Sequence, residues 1–235
     1  MTGRIDMYSR EEIITSIASI VNFAPEILYN DHYVKTVDKV NGVRINEIVA
    51  ETLLKHLDAL SKIEQITREK SYKTPNHESL AKKIRSETSN RNEEWIAKGL
   101  YHQEIIGLGK ILDFQIPLKN VQEDKAGKVD LLSYDKISNI AHLLELKVPS
   151  SSETLLRCIL EIFTYWSRVN RTKLLKDFEL PDAELRKGIL IYENSQPYKD
   201  FYLDECKSVR MLMRKLEVDF FVFSEDNVKM IIKQE

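Results

Sequence analysis

Residues 127–149, GKVDLLSYDKISNIAHLLELKVP, hold the arrangement around which the rest of the chain can be read. Two apolar runs, residues 128–135 and 142–148, flank the turn-forming segment DKISN. Side chains two apart in an extended strand share a side, so Glu145 and Lys147 project together while Leu144 and Leu146 turn the other way. If the runs pair antiparallel through DKISN, Asp130 joins them. Two carboxylates and a lysine then converge on an otherwise apolar sheet. That convergence is costly unless a metal ion and a phosphate are meant to sit there. The plainer alternative is an edge strand whose alternate residues face water.

Working outward, KILDFQIPLK (110–119) supplies a further strand ahead of the turn-forming NVQEDKAG, so three strands form a meander. The run 151–169 predicts a long helix capped by Ser151 or Ser152, with Leu155, Leu156, Ile159, Ile162, Phe163 and Trp166 on its apolar face. A buried strand (185–194), a helix (198–217) and a closing hairpin (218–226 with 228–234) follow. Upstream, residues 79–103 read as helix, broken near Ser89 and Asn90. The N-terminal third predicts helices at 9–21, with Ser9 as N-cap, and at 46–63. The polar segment 66–79, which contains Pro75, reads as a linker or exposed loop. The expected division is a helical accessory region, 1–85, and a second domain, 86–235.

An acidic residue on a second strand, Glu-x-Lys on a third and a helix directly afterwards resemble the PD-(D/E)xK nuclease superfamily, which includes restriction endonucleases, RecB-type exonucleases and Holliday-junction resolvases. The resemblance covers roughly positions 90–230 and leaves the N-terminal region unmatched. It implies an α/β fold: a restriction-endonuclease-like αβββαβ core, a central mixed sheet flanked by helices, here with an N-terminal helical extension. It also implies a metal-dependent hydrolase of phosphodiester bonds, with DNA as the expected partner in restriction, defence or repair. A hard divalent cation held by carboxylates can neutralise the phosphate, activate water and stabilise the leaving oxygen. Asp130 and Glu145 are the expected ligands, with the Leu146 carbonyl as a third; Mg²⁺ fits oxygen ligands and Mn²⁺ is the usual substitute. Lys147 would orient or deprotonate the attacking water, or steady the transition state. Many members add a glutamate from the first core helix, and Glu93 is preferred here over Glu94, although Asn90-x-x-Glu93 could equally be a capping box. Glu161 and Tyr165 fall where RecB-like nucleases carry Gln-x-x-x-Tyr, with Glu in place of Gln. Arg157, Arg168, Arg171 and Lys173 form a basic track after the motif and are expected to meet substrate; a second basic stretch runs from Lys62 to Arg91. The alternative is a catalytically inactive nucleic-acid-binding or scaffolding domain of the same fold.

Composition bounds these expectations. A chain of 235 residues, 43% hydrophobic and 31% charged, is ordinary for a globular protein. A net charge of −2 argues against a broad, non-specific nucleic-acid coat. No apolar stretch approaches bilayer length and the start lacks a signal-peptide core, so no membrane partner is expected. Cys158 and Cys206 read as free thiols of a reducing compartment, which implies a cytoplasmic location. A homodimer through the N-terminal helices is a further expected association. The five histidines show no metal spacing; His142, at the start of the motif strand, is the one that could approach the site. GLGK at 107–110 lacks P-loop spacing and reads as a turn, and Ser150–Ser152 form no nucleophile elbow.

Overall fold

The computed structural model describes residues 8–81, 92–119, 127–223 and 228–230. Its helices are α1 (Arg10–Phe23), α2 (His32–Lys35), α3 (Ile45–Leu54), α4 (Leu57–Leu60), α5 (His77–Ala81), α6 (Asn92–Leu100), α7 (Leu155–Arg168), α8 (Arg171–Asp177), α9 (Gln196–Tyr202) and α10 (Lys207–Lys215). A short hairpin, β1 (Lys39–Val40) and β2 (Val43–Arg44), precedes the main strands β3 (Glu104–Ile105), β4 (Gly109–Pro117), β5 (Lys128–Asp135), β6 (Ile140–Lys147), β7 (Glu184–Tyr192), β8 (Val218–Phe223) and β9 (Val228–Met230). Strands β3 to β9 form one mixed sheet in sequence order. The expected meander is β4-β5-β6, all antiparallel, whereas β6, β7 and β8 run parallel through helical crossovers. Strand β6 is therefore central, and nearly all of it is buried. The edge-strand alternative is thereby removed.

Alternation sorts β6 between two apolar layers. Leu144 and Leu146 pack with Ala97 of α6, Phe114, Leu131, Leu190 and Phe221 on one face. Leu143 faces the other, where α7, α9, α10 and the N-terminal helices share a single cluster. The protein is thus a mixed α/β structure with helices on both sides of the sheet.

Helix α1 starts as expected: Ser9 caps it in a full capping box with Glu12. Other boundaries differ for local reasons. Residues 46–63 do not form one helix, because α3 tightens into i→i−3 bonds from Lys55 to Thr52 and His56 to Leu53 before α4 begins. The predicted helix over 198–217 is three pieces: α9, a 3-10 turn at Asp204–Cys206, and α10. Extended Leu203 interrupts it, and Arg210 Nη1 donates to the freed carbonyls of Phe201 (3.0 Å) and Leu203 (2.7 Å). Helix α7 begins at Leu155 with Thr154 as its N-cap, not Ser151 or Ser152. The segment 66–79 is loop at first but not exposed throughout: Tyr72 is fully buried and Arg68 donates to the carbonyls of Ser71 and Lys119. The expected break at Ser89 and Asn90 and most of NVQEDKAG lie outside the described residues.

The N-terminal region is built into the sheet's own core. Ile13, Ile17 and Val21 of α1 and Ile48, Val49 and Leu53 of α3 face that cluster, which is where the stripes expected to support a dimer are directed. Two polar links then fix the start of α7. Thr154 Oγ1 donates to the Val34 carbonyl at 2.6 Å. Fully buried Asp200 accepts from Arg44 Nη2 (2.8 Å), Gln196 Nε2 (2.7 Å) and the Leu155 N–H (3.0 Å). Breaking a buried ion pair by removing one partner strands the other charge. Arg44→Met is accordingly expected to lower stability by about 3 kcal/mol, read as a reduced urea midpoint at unchanged m-value.

Among the described residues no helix is long and apolar enough to cross a membrane.

Candidate active site

The site lies where the sheet splits. Strands β5 and β6 stay paired up to Leu131 and Leu144. Beyond that point Asp130 Oδ2 accepts the Leu146 N–H at 2.9 Å, taking the place of a strand partner. Its other oxygen accepts from Gln115 Nε2 at 2.8 Å. Gln115 has φ of 50°, a left-handed conformation that costs about 1–2 kcal/mol in a residue with a side chain. Alternation breaks there: Phe114 and Ile116, two apart, enter opposite layers.

A pocket of about 570 Å³ opens at this split. Glu145 and Lys147 project into it together, each only 3% exposed. Lys147 Nζ lies 2.7 Å from Glu145 Oε1, 2.9 Å from Glu153 Oε2 and 3.5 Å from Glu93 Oε1. From α7, Arg157 pairs with Glu153 and stands 3.6 Å from Glu161 Oε2, while Tyr165 donates to Glu161 Oε1 at 2.9 Å. Glu161 Oε2 is buried and accepts no hydrogen bond among the described residues. Carboxylates outnumber cations: Glu93, Asp130, Glu145, Glu153 and Glu161 surround Lys147 and Arg157, with Lys128 at the rim.

That imbalance sets the protonation states. Burial pushes the Asp130 carboxyl up to about 6, against the pull of Lys147 and the Leu146 N–H. Burial, together with the nearby charges of Asp130 and Glu161, holds Glu145 well above the usual glutamate range. Burial works to lower Lys147, but Glu145 above all, with Asp130 and Glu93, keeps its ammonium well above the ordinary lysine value. The thiol of Cys158, behind the site, is raised by burial and stays protonated.

Asp130, Glu145, Lys147, Glu93, Arg157, Glu161 and Tyr165 therefore meet in one pocket. Glu94 lines it too but pairs with Lys98 at 2.7 Å. The rest of the basic track goes elsewhere: Arg168, at the end of α7, lines a separate pocket, and Arg171 and Lys173 belong to α8, which starts after the break at Val169 and Asn170. The Arg168 carbonyl accepts from the Ile66 N–H at 2.7 Å, the Arg171 guanidinium stacks on Trp166, and Lys173 bonds Asp177 at 2.9 Å. His142 also turns away, with Nε2 3.3 Å from Asp219 Oδ2. GLGK forms the turn into β4, as expected.

Three contributors were missed. Glu153 sits just before the true N-cap, and reading SSET as a cap hid its acid. Gln115 is an ordinary strand residue until its backbone twist is seen. Gly127, at φ of 79°, packs against Tyr165 so closely that a Cβ would enter the phenol ring. Gly127→Ala is expected to cost about 2–3 kcal/mol from left-handed strain and overpacking, lowering Tm and loosening the Tyr165–Glu161 bond.

Among the described residues no three His, Cys, Asp or Glu side chains stand grouped as a ready-made metal cage. The donors present nonetheless suit a hard divalent cation. Two raised carboxyls and a buried carboxylate oxygen without a donor all gain from added positive charge. Magnesium commonly uses only one or two protein carboxylates and keeps several waters. No family model, curated protein or solved structure matches the chain.

Proposed function

We propose that the protein is a Mg²⁺-dependent nuclease hydrolysing phosphodiester bonds, with DNA as substrate, built on a restriction-endonuclease-like core. The observation that carries this reading is the burial of Glu145 and Lys147 side by side on the central strand, with Asp130 hydrogen-bonded to the residue between them. Chain order supports it: α6, the meander β4-β5-β6, α7 and a parallel β7 follow the αβββαβ arrangement, with α8 inserted in the crossover.

Asp130 and Glu145 would hold the cation. The Leu146 carbonyl is available on the same side, since an extended residue sends its N–H and C=O toward one neighbour. The bound cation supplies charge neutralisation and a more acidic water. Lys147 keeps its proton and serves as a fixed ammonium against the phosphate oxygens rather than as a base. Glu93 and Glu153 position that ammonium, and Gln115 orients Asp130. Glu161, steadied by Tyr165, is the carboxylate best placed to accept a proton or a second water contact.

The lack of a preformed three-acid cage favours one second reading, an inactive nucleic-acid-binding domain of the same fold. A panel of labelled single- and double-stranded DNA and RNA, incubated with Mg²⁺ or Mn²⁺, separates the two. Metal-dependent cutting supports the nuclease; retention of a substrate without cutting supports the binding module.

A further inference from the structure

A second pocket, of about 460 Å³, lies between α7, the start of α8 and β7, and shares no lining residue with the carboxylate site. Lys187 enters it from β7 and is only 4% exposed. Its Nζ rests 4.0 Å from the Trp166 ring centroid, and the Arg171 guanidinium lies 4.0 Å from the same centroid. Neither cation has an ion-pair partner among the described residues. The acids that act on Lys187 are Glu217, which is exposed and lines the same pocket, and Asp219, which is engaged by His142 at 3.3 Å. Trp166 Nε1 is buried with no acceptor among the described residues. Lys215 adds a further cation at the rim.

A lysine removed from water without a counter-charge is costly, and the ring faces beside it compensate only in part. Burial lowers the Lys187 pKa, outweighing the opposite pull of Glu217 and Asp219. Three cations, Lys187, Arg171 and Lys215, thus line this pocket against one carboxylate, Glu217, the reverse of the balance at the carboxylate site. We propose that this pocket binds a terminal phosphate group, with Lys187 and Arg171 as its charged donors. A dianionic monoester matches two cations, and the guanidinium fork can take two of its oxygens. Recession decides between kinds of phosphate. A diester flanked by two sugars cannot reach a lysine this buried, whereas a terminal phosphate can, and the volume suits a mononucleotide-sized ligand.

The test is thermal unfolding and calorimetry in EDTA, which keeps it independent of any nuclease activity. The probes are inorganic phosphate, a mononucleotide, and a short oligonucleotide with and without a 5′-phosphate, against chloride at equal ionic strength. With a dissociation constant of about 1 mM, 10 mM phosphate should raise Tm by about 4 °C. Lys187→Met, which keeps the apolar stem, should abolish the shift. The more exposed Arg171→Gln should weaken binding about tenfold, and Lys136→Met on the DKISN turn should change nothing. An effect that follows the terminal phosphate on every carrier supports the site, and comparison of the carriers identifies its source. No phosphate effect beyond chloride in the wild type, an unchanged effect in a folded Arg171→Gln, or equal binding of the unphosphorylated oligonucleotide would overturn it.

Discussion

Lys147→Met should reduce metal-dependent cleavage by about a thousandfold, the scale set by removing one preorganised charge from a transition state. It should also destabilise the fold, and the form of that loss is diagnostic. Lys147 is the ammonium that Glu145, Glu153 and Glu93 share. Without it the buried carboxyls gain protons more readily, so their folded pKa values rise further above the unfolded ones. A group raised in this way contributes stability at low pH that is lost as pH rises through its folded value. The deficit of Lys147→Met relative to wild type should therefore be small near pH 5 and grow to about 3 kcal/mol by pH 8. Urea titrations at the two pH values measure it. A merely structural surface lysine would show neither the pH dependence nor the loss of cutting.

Asp130→Asn should move stability the other way while also abolishing activity. The Asp130 carboxyl, at about 6 in the folded protein against an ordinary 3.8, is more easily protonated folded than unfolded. Its contribution is complete below the unfolded value and disappears as pH rises to about 6, so at neutral pH the ionised group burdens the metal-free fold. Asparagine keeps an acceptor for the Leu146 N–H, and its amide N–H can donate to the Gln115 oxygen once the Gln115 amide flips. The metal-free variant should be about 2 kcal/mol more stable than wild type at pH 7.5, with a flatter stability profile between pH 4 and 6. Mg²⁺ should raise the Tm of the wild type and leave the variant unmoved. Stabilisation on deleting the acid, together with loss of cutting, would mark the pocket as organised for a cation.

Much of this arrangement was legible in the chain because it depends on period-two alternation. The residues of β5 and β6 announce their strands, and Glu145 and Lys147 share a side as spacing requires. The rest depends on non-local events. Asp200 and Arg44 are 156 residues apart, and neither carries a sign of the other. Tyr72 lies in a polar segment, yet its hydroxyl accepts the Asn170 N–H at 2.9 Å and ties that loop to the start of α8. Gln115 enters the site through a backbone twist, and Glu153 through a helix that begins later than its serines indicate. The basic track failed for the converse reason. Its members are close in sequence, but the chain breaks at Val169 and Asn170, so Arg157 on α7 lines one pocket and Arg171 on α8 another.

The most direct measurement is cleavage of end-labelled DNA in Mn²⁺ by folded wild type, Lys147→Met and Asp130→Asn side by side, with EDTA as the blank. Cutting by the wild type alone, abolished by EDTA, is the expected result. Equal cutting by all three would place the chemistry outside this pocket, and no cutting by folded wild type on any DNA form would contradict the nuclease reading itself.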